Sequence, residues 1–408
     1  MKLRRIRISG YKALADVTID IPRDLLILIG VNGAGKSSIL QALSFVRYFA
    51  AGTPAQFFND RHWSPRQVRS QFGRSASLRF DLAFETGSGE ILWQFTWSLG
   101  NGTLQKESIW YWDRKKIGPE LVLTYRDHSL SSPESDEVNF TGLKLPGSIL
   151  SILELKRLDR GNEALVPLKE WSEGINSLEL LNPSAMRQGD RGSPVNIGNK
   201  GERLSGFLAS LDANQKARIV ERLSPFYPLR DINTTRKRAG WVDMRIAERY
   251  DMGEVSTAHI SDGFLRLLAL AAIPEFQDKT GVVLLDEVED GIEPHILPDI
   301  IKSVSRDSGM QLIMTSHSPL LVNFFNTDEV TLVARNTEGS TVTTVLEDLP
   351  TIKAGSEYFG GGEIWAMMDA DTIKREALSP RDAEDASISE LDTAIGARQF
   401  LRQGALAQ

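Results

Sequence analysis

The chain has 408 residues, 41% apolar and 25% charged, the balance of a globular protein of roughly two to three domains. A formal charge of −7, from 47 basic and 54 acidic residues, argues against polyanion binding by bulk charge, and the lack of cysteine excludes disulfides, thiolate nucleophiles and cysteine-ligated zinc. No apolar run reaches the roughly 20 residues of a bilayer span, and the N-terminus lacks a signal-peptide apolar stretch, so the expectation is a cytoplasmic protein with no membrane partner. The histidines at 62, 128, 259, 295 and 317 show no metal-ligand spacing.

Lys2, Arg4, Arg5, Arg7 and Lys12 cluster in the first strands. They read either as a solvated strand face or as a local DNA contact. "IRIS" and "VTIDI" alternate, and "LLILI" (25–29) is a continuous apolar run suited to a buried parallel strand. "GVNGAGKSS" then breaks the chain before the helical spacing of "SILQALSFVRYFA", giving strand, glycine loop and helix. Residues 75–130 predict antiparallel strands with glycine turns. "SSPESDE" (131–137) reads as a loop; "GSILSILELKRL" (147–158) and "EALVPLKEWSEGINSLELL" (163–181) read as helices. The Gly-, Pro-, Asn- and Ser-rich stretch 182–202 predicts an exposed segment or lid, and 203–227 returns to helix. "GVVLLDEVED" and "MQLIMTSHSP" are buried strands with polar ends, and "EVTLVARN" and "STVTTVLED" form a late β-pair. Beyond Ile373 the tail is charged and Ala-rich, either disordered or holding one amphipathic helix over 388–401.

Gly30–Ser37, "GVNGAGKS", fits GxxxxGKS, the Walker A pattern. Backbone N–H groups of Gly30, Asn32, Gly33, Ala34 and Gly35, followed by Lys36, Ser37 and Ser38, are expected to hold a nucleotide. Lys36 would reach the β- and γ-phosphates, and the Ser37 hydroxyl would bind Mg²⁺. "VVLLDE" has the form of Walker B: an apolar strand delivers Asp286 to the C-terminal sheet edge, where it would hold Mg²⁺ through water, with Glu287 placed to polarise the attacking water. His317, 31 residues beyond Asp286 at another strand end, would hydrogen-bond the γ-phosphate and that water. In "HISDGFLRLLAL" (259–270), Ser261, Asp262 and Gly263 stand before an apolar helix. They are either an N-cap alone or an anion site built on a helix N-terminus.

"ISDGF" resembles the signature motif of ABC-type ATPases, and residues 6–43 resemble the start of their RecF/SMC-like branch. "ISDGFLRLLAL", "LLDEVEDGIEP", "TSHSP" and "YFGGGEIW" are similar to the stand-alone ATPases grouped with the OLD family. The resemblance is specific at 1–45 and 255–320, moderate at 180–225 and poor at 100–180. It implies an α/β P-loop ABC-ATPase head with a mixed sheet, an N-terminal antiparallel β section and an inserted helical lobe. On that basis residues 1–100 and 231–372 form the ATPase lobe, 101–230 the insert and 373–408 a tail. It also implies ATP and Mg²⁺ as cofactors, and ATP hydrolysis. Ser261, Asp262 and Gly263 would close over the γ-phosphate of ATP on a second subunit, so ATP would drive a homodimer. The implied work is DNA repair or anti-phage defence, with DNA and a separately encoded nuclease or toxin as candidate partners. "EDGIE" takes the D-loop position. Gln67, Gln71 and Gln94 are Q-loop candidates. OLD nucleases carry a TOPRIM domain after the ATPase, but only 91 residues follow His317. Asp369 and Asp371, in "MDAD", keep a metal-dependent nuclease as one alternative. A transporter ATPase subunit is another, disfavoured by the 225 residues between Lys36 and Ser261. A sensor that binds ATP and barely hydrolyses it is the third.

Overall fold

The computed structural model describes residues 1–73, 75–116, 118–126, 129–132, 135–139, 144–153, 162–178, 181–250, 253–277, 281–377 and 399–400. In chain order the strands are β1 (Lys2–Tyr11), β2 (Leu14–Asp20), β3 (Leu25–Ile29), β4 (Ser77–Glu85), β5 (Gly89–Ser98) and β6 (Thr103–Asp113). Next come β7 (Glu120–Arg126), β8 (Ser129–Ser132), β9 (Ser135–Asn139), β10 (Asn176–Ser177), β11 (Leu229–Arg236) and β12 (Val242–Glu248). The last are β13 (Glu254–Ser256), β14 (Val282–Leu285), β15 (Gln311–Thr315), β16 (Val330–Arg335) and β17 (Thr341–Val345).

They form three sheets. An eight-stranded sheet runs β2-β1-β4-β5-β6-β7-β8-β9, antiparallel throughout. Residue 100 is a turn inside it, between β5 and β6. A six-stranded sheet runs β10-β14-β15-β3-β16-β17, parallel except for the last pair. A three-stranded antiparallel sheet, β11-β12-β13, leads to the helix that opens at Asp262.

Burial explains why "LLILI" is continuous. β3 lies between β15 and β16, so both its faces are covered. Leu26 and Leu28 join a core with the helix Lys36–Ala50 and the eight-stranded sheet; Leu25, Ile27 and Ile29 join a core with the helices Leu204–Ser210, Ala213–Leu223, Asp262–Ala272 and Leu297–Ser308. The period-2 geometry of a strand divides its side chains in this way. The helix Lys36–Ala50 is thus gripped between two sheets. Phe45 meets Phe80 and Trp97, and Phe49 stacks on Phe95 at 3.9 Å.

Three local expectations change. The helix predicted over 163–181 ends at Glu173, and Asn176–Ser177 pairs in parallel with Val283–Leu284. Of the loop predicted at 131–137, residues 131–132 belong to β8 and 135–137 to β9, and the two strands pair antiparallel. In 147–158 the described part holds only the 3₁₀ turn Ile149–Ser151, capped by Ser148. The expected tail helix lies almost wholly outside the described residues; Phe400 within it packs on Ala83 and Leu92 of the eight-stranded sheet.

Candidate nucleotide site

The chain leaves β3 at Gly30, where φ is +144° and a Cβ would stand 2.1 Å from the Val333 carbonyl oxygen of β16. Only glycine tolerates both conditions. Val31, Asn32 and Gly33 are exposed at the crest of the loop, Ala34 is buried, and Gly35, Ser37 and Ser38 are half-buried. Arg335, at the end of β16, donates Nε to the Gly33 carbonyl at 2.8 Å, and Thr341 of β17 donates Oγ1 to the Ala34 carbonyl at 2.7 Å. The loop is therefore pinned from the strand beside it. The helix it feeds has no side-chain cap and no acidic residue in its first turn. Its first N–H groups are left for an anion.

Lys36 is 5% exposed. Its ammonium donates to the carbonyls of Gly30 (2.8 Å) and Val31 (3.3 Å) and lies 3.4 Å from His317 Nδ1. Burial pulls its pKa down, opposed by the charges of Asp286, Glu287 and Glu289. β14 ends at Leu285, and Asp286 emerges beside the loop. Its Oδ1 accepts from Ser37 Oγ at 3.1 Å and from Thr315 Oγ1 at 2.5 Å. The same threonine oxygen accepts the Glu287 N–H at 2.8 Å. Glu287 sits at φ +47°, an unfavourable backbone for a non-glycine residue, with its side chain 60% exposed and Oε1 3.6 Å from His317 Nε2. Strain of this kind persists where the surroundings hold the residue for a purpose. Walker A, Asp286, Glu287 and His317 thus converge at the C-terminal ends of three adjacent parallel strands.

Ser261, Asp262 and Gly263 lie elsewhere. Among the described residues no hydrogen bond or ion pair joins 261–263 to 30–38. Ser261 caps its helix, its Oγ accepting the Phe264 N–H at 3.3 Å. Asp262 pairs with Arg187, which also donates to the Ile260 carbonyl at 2.7 Å. A Cβ on Gly263 would stand 2.4 Å from the Gly291 carbonyl oxygen, so packing inside the chain already demands glycine there. Arg266, one turn on, bonds Asp290 at 2.6 Å. The helix Asp262–Ala272 is in this way clamped to the loop that follows Asp286.

The three glutamine candidates lie in different settings. Gln67 accepts the Ser64 N–H at 2.6 Å, Gln71 is exposed, and Gln94 is buried in β5, donating to Asp81 at 2.7 Å. The N-terminal basic cluster is largely a set of ion pairs: Lys2 with Asp24, Arg4 with Glu85, Arg5 with Asp20 and Arg7 with Asp16. Lys12, in the β1–β2 turn, lies over Trp63 at 3.8 Å and donates to Gln41; burial, helped by Arg61, lowers its pKa to about 8. Asp369 accepts the Thr372 N–H at 2.7 Å at the start of the helix Ala370–Ala377, and among the described residues no group of three His, Asp or Glu could hold a metal. Nor is any described helix long and apolar enough to cross a membrane. Sequence reasoning missed Arg187, Arg335, Thr315, Thr341 and the contacts of Glu289. All of them act across long sequence separations.

A phosphate-type loop on a parallel strand, an acidic pair on a neighbouring strand, and an antiparallel sheet covering the loop helix define a P-loop ATPase head of the ABC and SMC type. Residues 25–323 match the family described as "AAA domain, putative AbiEii toxin, Type IV TA system", and the chain belongs to that family. No curated protein matches it. Among solved structures it is similar to an SMC head bound to the C-terminal winged-helix domain of ScpA, at 14% identity and a TM-score of 0.50, covering 85% of this chain and 99% of that one. It also matches a Pyrococcus furiosus SMC head with an extended coiled coil bound to the C-terminal domain of ScpA (13% identity, 87% and 99% covered, TM-score 0.47). A third match is the SMC head domain from Thermotoga maritima (13%, 85% and 99%, 0.44). The first shares the fold; family membership implies ATP binding.

Proposed function

We propose that this protein is an ATP-hydrolysing switch that closes on a second copy of itself around ATP. One observation carries the reading. Walker A, Asp286, Glu287 and His317 gather within one chain, while residues 261–263 sit at the start of another helix and bond to none of residues 30–38. A signature that does not serve its own loop is suited to serve a neighbour's.

The residues present fit ATP and Mg²⁺. Glycines keep the loop clear of side chains, and the hydroxyl of Ser37 and the carboxylate of Asp286 already stand 3.1 Å apart. The bound pair would supply the transferable phosphate and a cation to screen its charge. Gly30, Asn32, Gly33, Ala34, Gly35 and Ser38 would line the phosphates with backbone N–H groups. Lys36 holds an ammonium at the loop mouth, and Ser37 and Asp286 would hold the metal. Glu287 is turned outward by its backbone and serves as general base toward water. His317, reaching Lys36 through one nitrogen and Glu287 through the other, orients that water and reads the γ-phosphate. Across the interface, Ser261 and the N–H groups at Asp262 and Gly263 add a preorganised positive end.

The likeness of "ISDGFLRLLAL", "LLDEVEDGIEP" and "TSHSP" to OLD-family ATPases, with the toxin–antitoxin term in the family description, supports DNA repair or anti-phage defence. The effector in this reading is a separately encoded nuclease or toxin. The test is turnover against protein concentration. ATPase activity per chain should fall on dilution; constant activity would overturn the paired site.

A further inference from the structure

We propose that Glu289 is the positioning residue for the switch histidine, tying the loop after Walker B to the strand end that carries His317. This rests on the reading of His317 given above. Glu289 lies three residues beyond Asp286, and its Oε1 accepts the backbone N–H of His317. Its Oε2 is buried with no hydrogen-bond partner. Leaving a carboxylate oxygen in that state is costly, so the side chain is held there against its own solvation.

The geometry gives this contact a purpose. His317 meets Lys36 at 3.4 Å through Nδ1 and Glu287 at 3.6 Å through Nε2. Both contacts depend on where the backbone leaves β15, because the ring hangs from Cα by two rotatable bonds. Thr315 fixes the Walker B side, bonding Asp286 and the Glu287 N–H. Glu289 joins the same two segments. Walker B and the switch histidine are thereby tied by the Thr315 hydroxyl, by the Val288 N–H on the Thr315 carbonyl at 3.2 Å, and by the Glu289 side chain on the His317 N–H. Among the described residues no hydrogen bond joins Glu289 to Ser37 or to the Asp286 carboxylate, so its action runs through His317.

The experiment compares ATP affinity and single-turnover hydrolysis in full-length variants. Glu289→Ala should slow hydrolysis ~10-fold or more while ATP affinity stays within ~3-fold. Glu289→Asp withdraws the carboxylate by one methylene and should be equally slow. Glu289→Gln keeps the acceptor and should retain hydrolysis within ~3-fold of the parent. In a His317→Ala background, Glu289→Ala should add no loss beyond ~2-fold, since residues acting through one another are not additive. Multiplying losses in the double variant, equal loss of ATP affinity, or full activity of Glu289→Ala would each overturn the assignment. If His317→Ala alone hydrolyses ATP normally, the reading of His317 fails, and the role of Glu289 falls with it.

Discussion

The loop end and the signature end of the nucleotide machinery are built on different principles. At the loop end, β14, β15 and β3 are hydrogen-bonded neighbours, and every residue of these strands is buried. Position there follows from sheet register, and Lys36, Asp286 and His317 inherit it. At the Ser261 end, a helix N-terminus is held by two ion pairs, Arg187 on Asp262 and Arg266 on Asp290, and by the close Gly263–Gly291 backbone approach. The first arrangement gathers its residues within the chain. The second is a helix N-terminus linked by an ion pair and a close backbone approach to the loop after Asp286. In the function proposed above, the first binds nucleotide and the second acts on the nucleotide of a second copy.

That contrast can be broken by substitution. Lys36→Ala removes the one ammonium at the loop and should weaken ATP binding by ~10²-fold or more in calorimetry; unchanged affinity would remove the loop from the account. Glu287→Gln should leave ATP bound and slow hydrolysis ~10²-fold in a phosphate-release assay; near-normal turnover would move the base to His317. Gly263→Ala sharpens the comparison, since its Cβ meets backbone of the same chain. It should cost about 1–3 kcal/mol of stability by denaturant unfolding; an undisturbed unfolding curve would mean that the glycine is needed only for a ligand. The smallest effect concerns Lys12, whose pKa falls from 10.5 to about 8 in the fold. Below pH 8 both folded and unfolded states carry the proton and the burial penalty is complete. Between about 8 and 10.5 the folded state binds fewer protons, so stability should rise with pH. Lys12→Gln should flatten part of that rise in urea midpoints; an identical pH slope would contradict the lowered pKa.

The loop end was legible because its information is local. "LLILI", "GVNGAGKS", "VVLLDE" and "LIMTSH" are contiguous, and glycine spacing or apolar continuity marks each one. The antiparallel strands from Ser77 and the pair β16–β17 were legible from alternation and turns. What escaped depends on distant partners. Asn176–Ser177 has no strand pattern and is a strand because β14 lies beside it. Arg187 stands 75 residues from Asp262, and Glu289 stands 28 from His317. The β8–β9 pair is polar, so its composition reads as loop, and its pairing comes from extending the eight-stranded sheet beyond β7.

Sedimentation velocity of Glu287→Gln with and without ATP tests the central claim most directly. Hydrolysis cannot clear the bridge in this variant, so ATP should shift it from monomer to dimer by mass action. Adding Ser261→Arg should leave ATP bound to each chain and keep the protein monomeric. A Glu287→Gln protein that binds ATP and stays monomeric, or one that dimerises equally with Ser261→Arg, would contradict a signature that works on a neighbour's nucleotide.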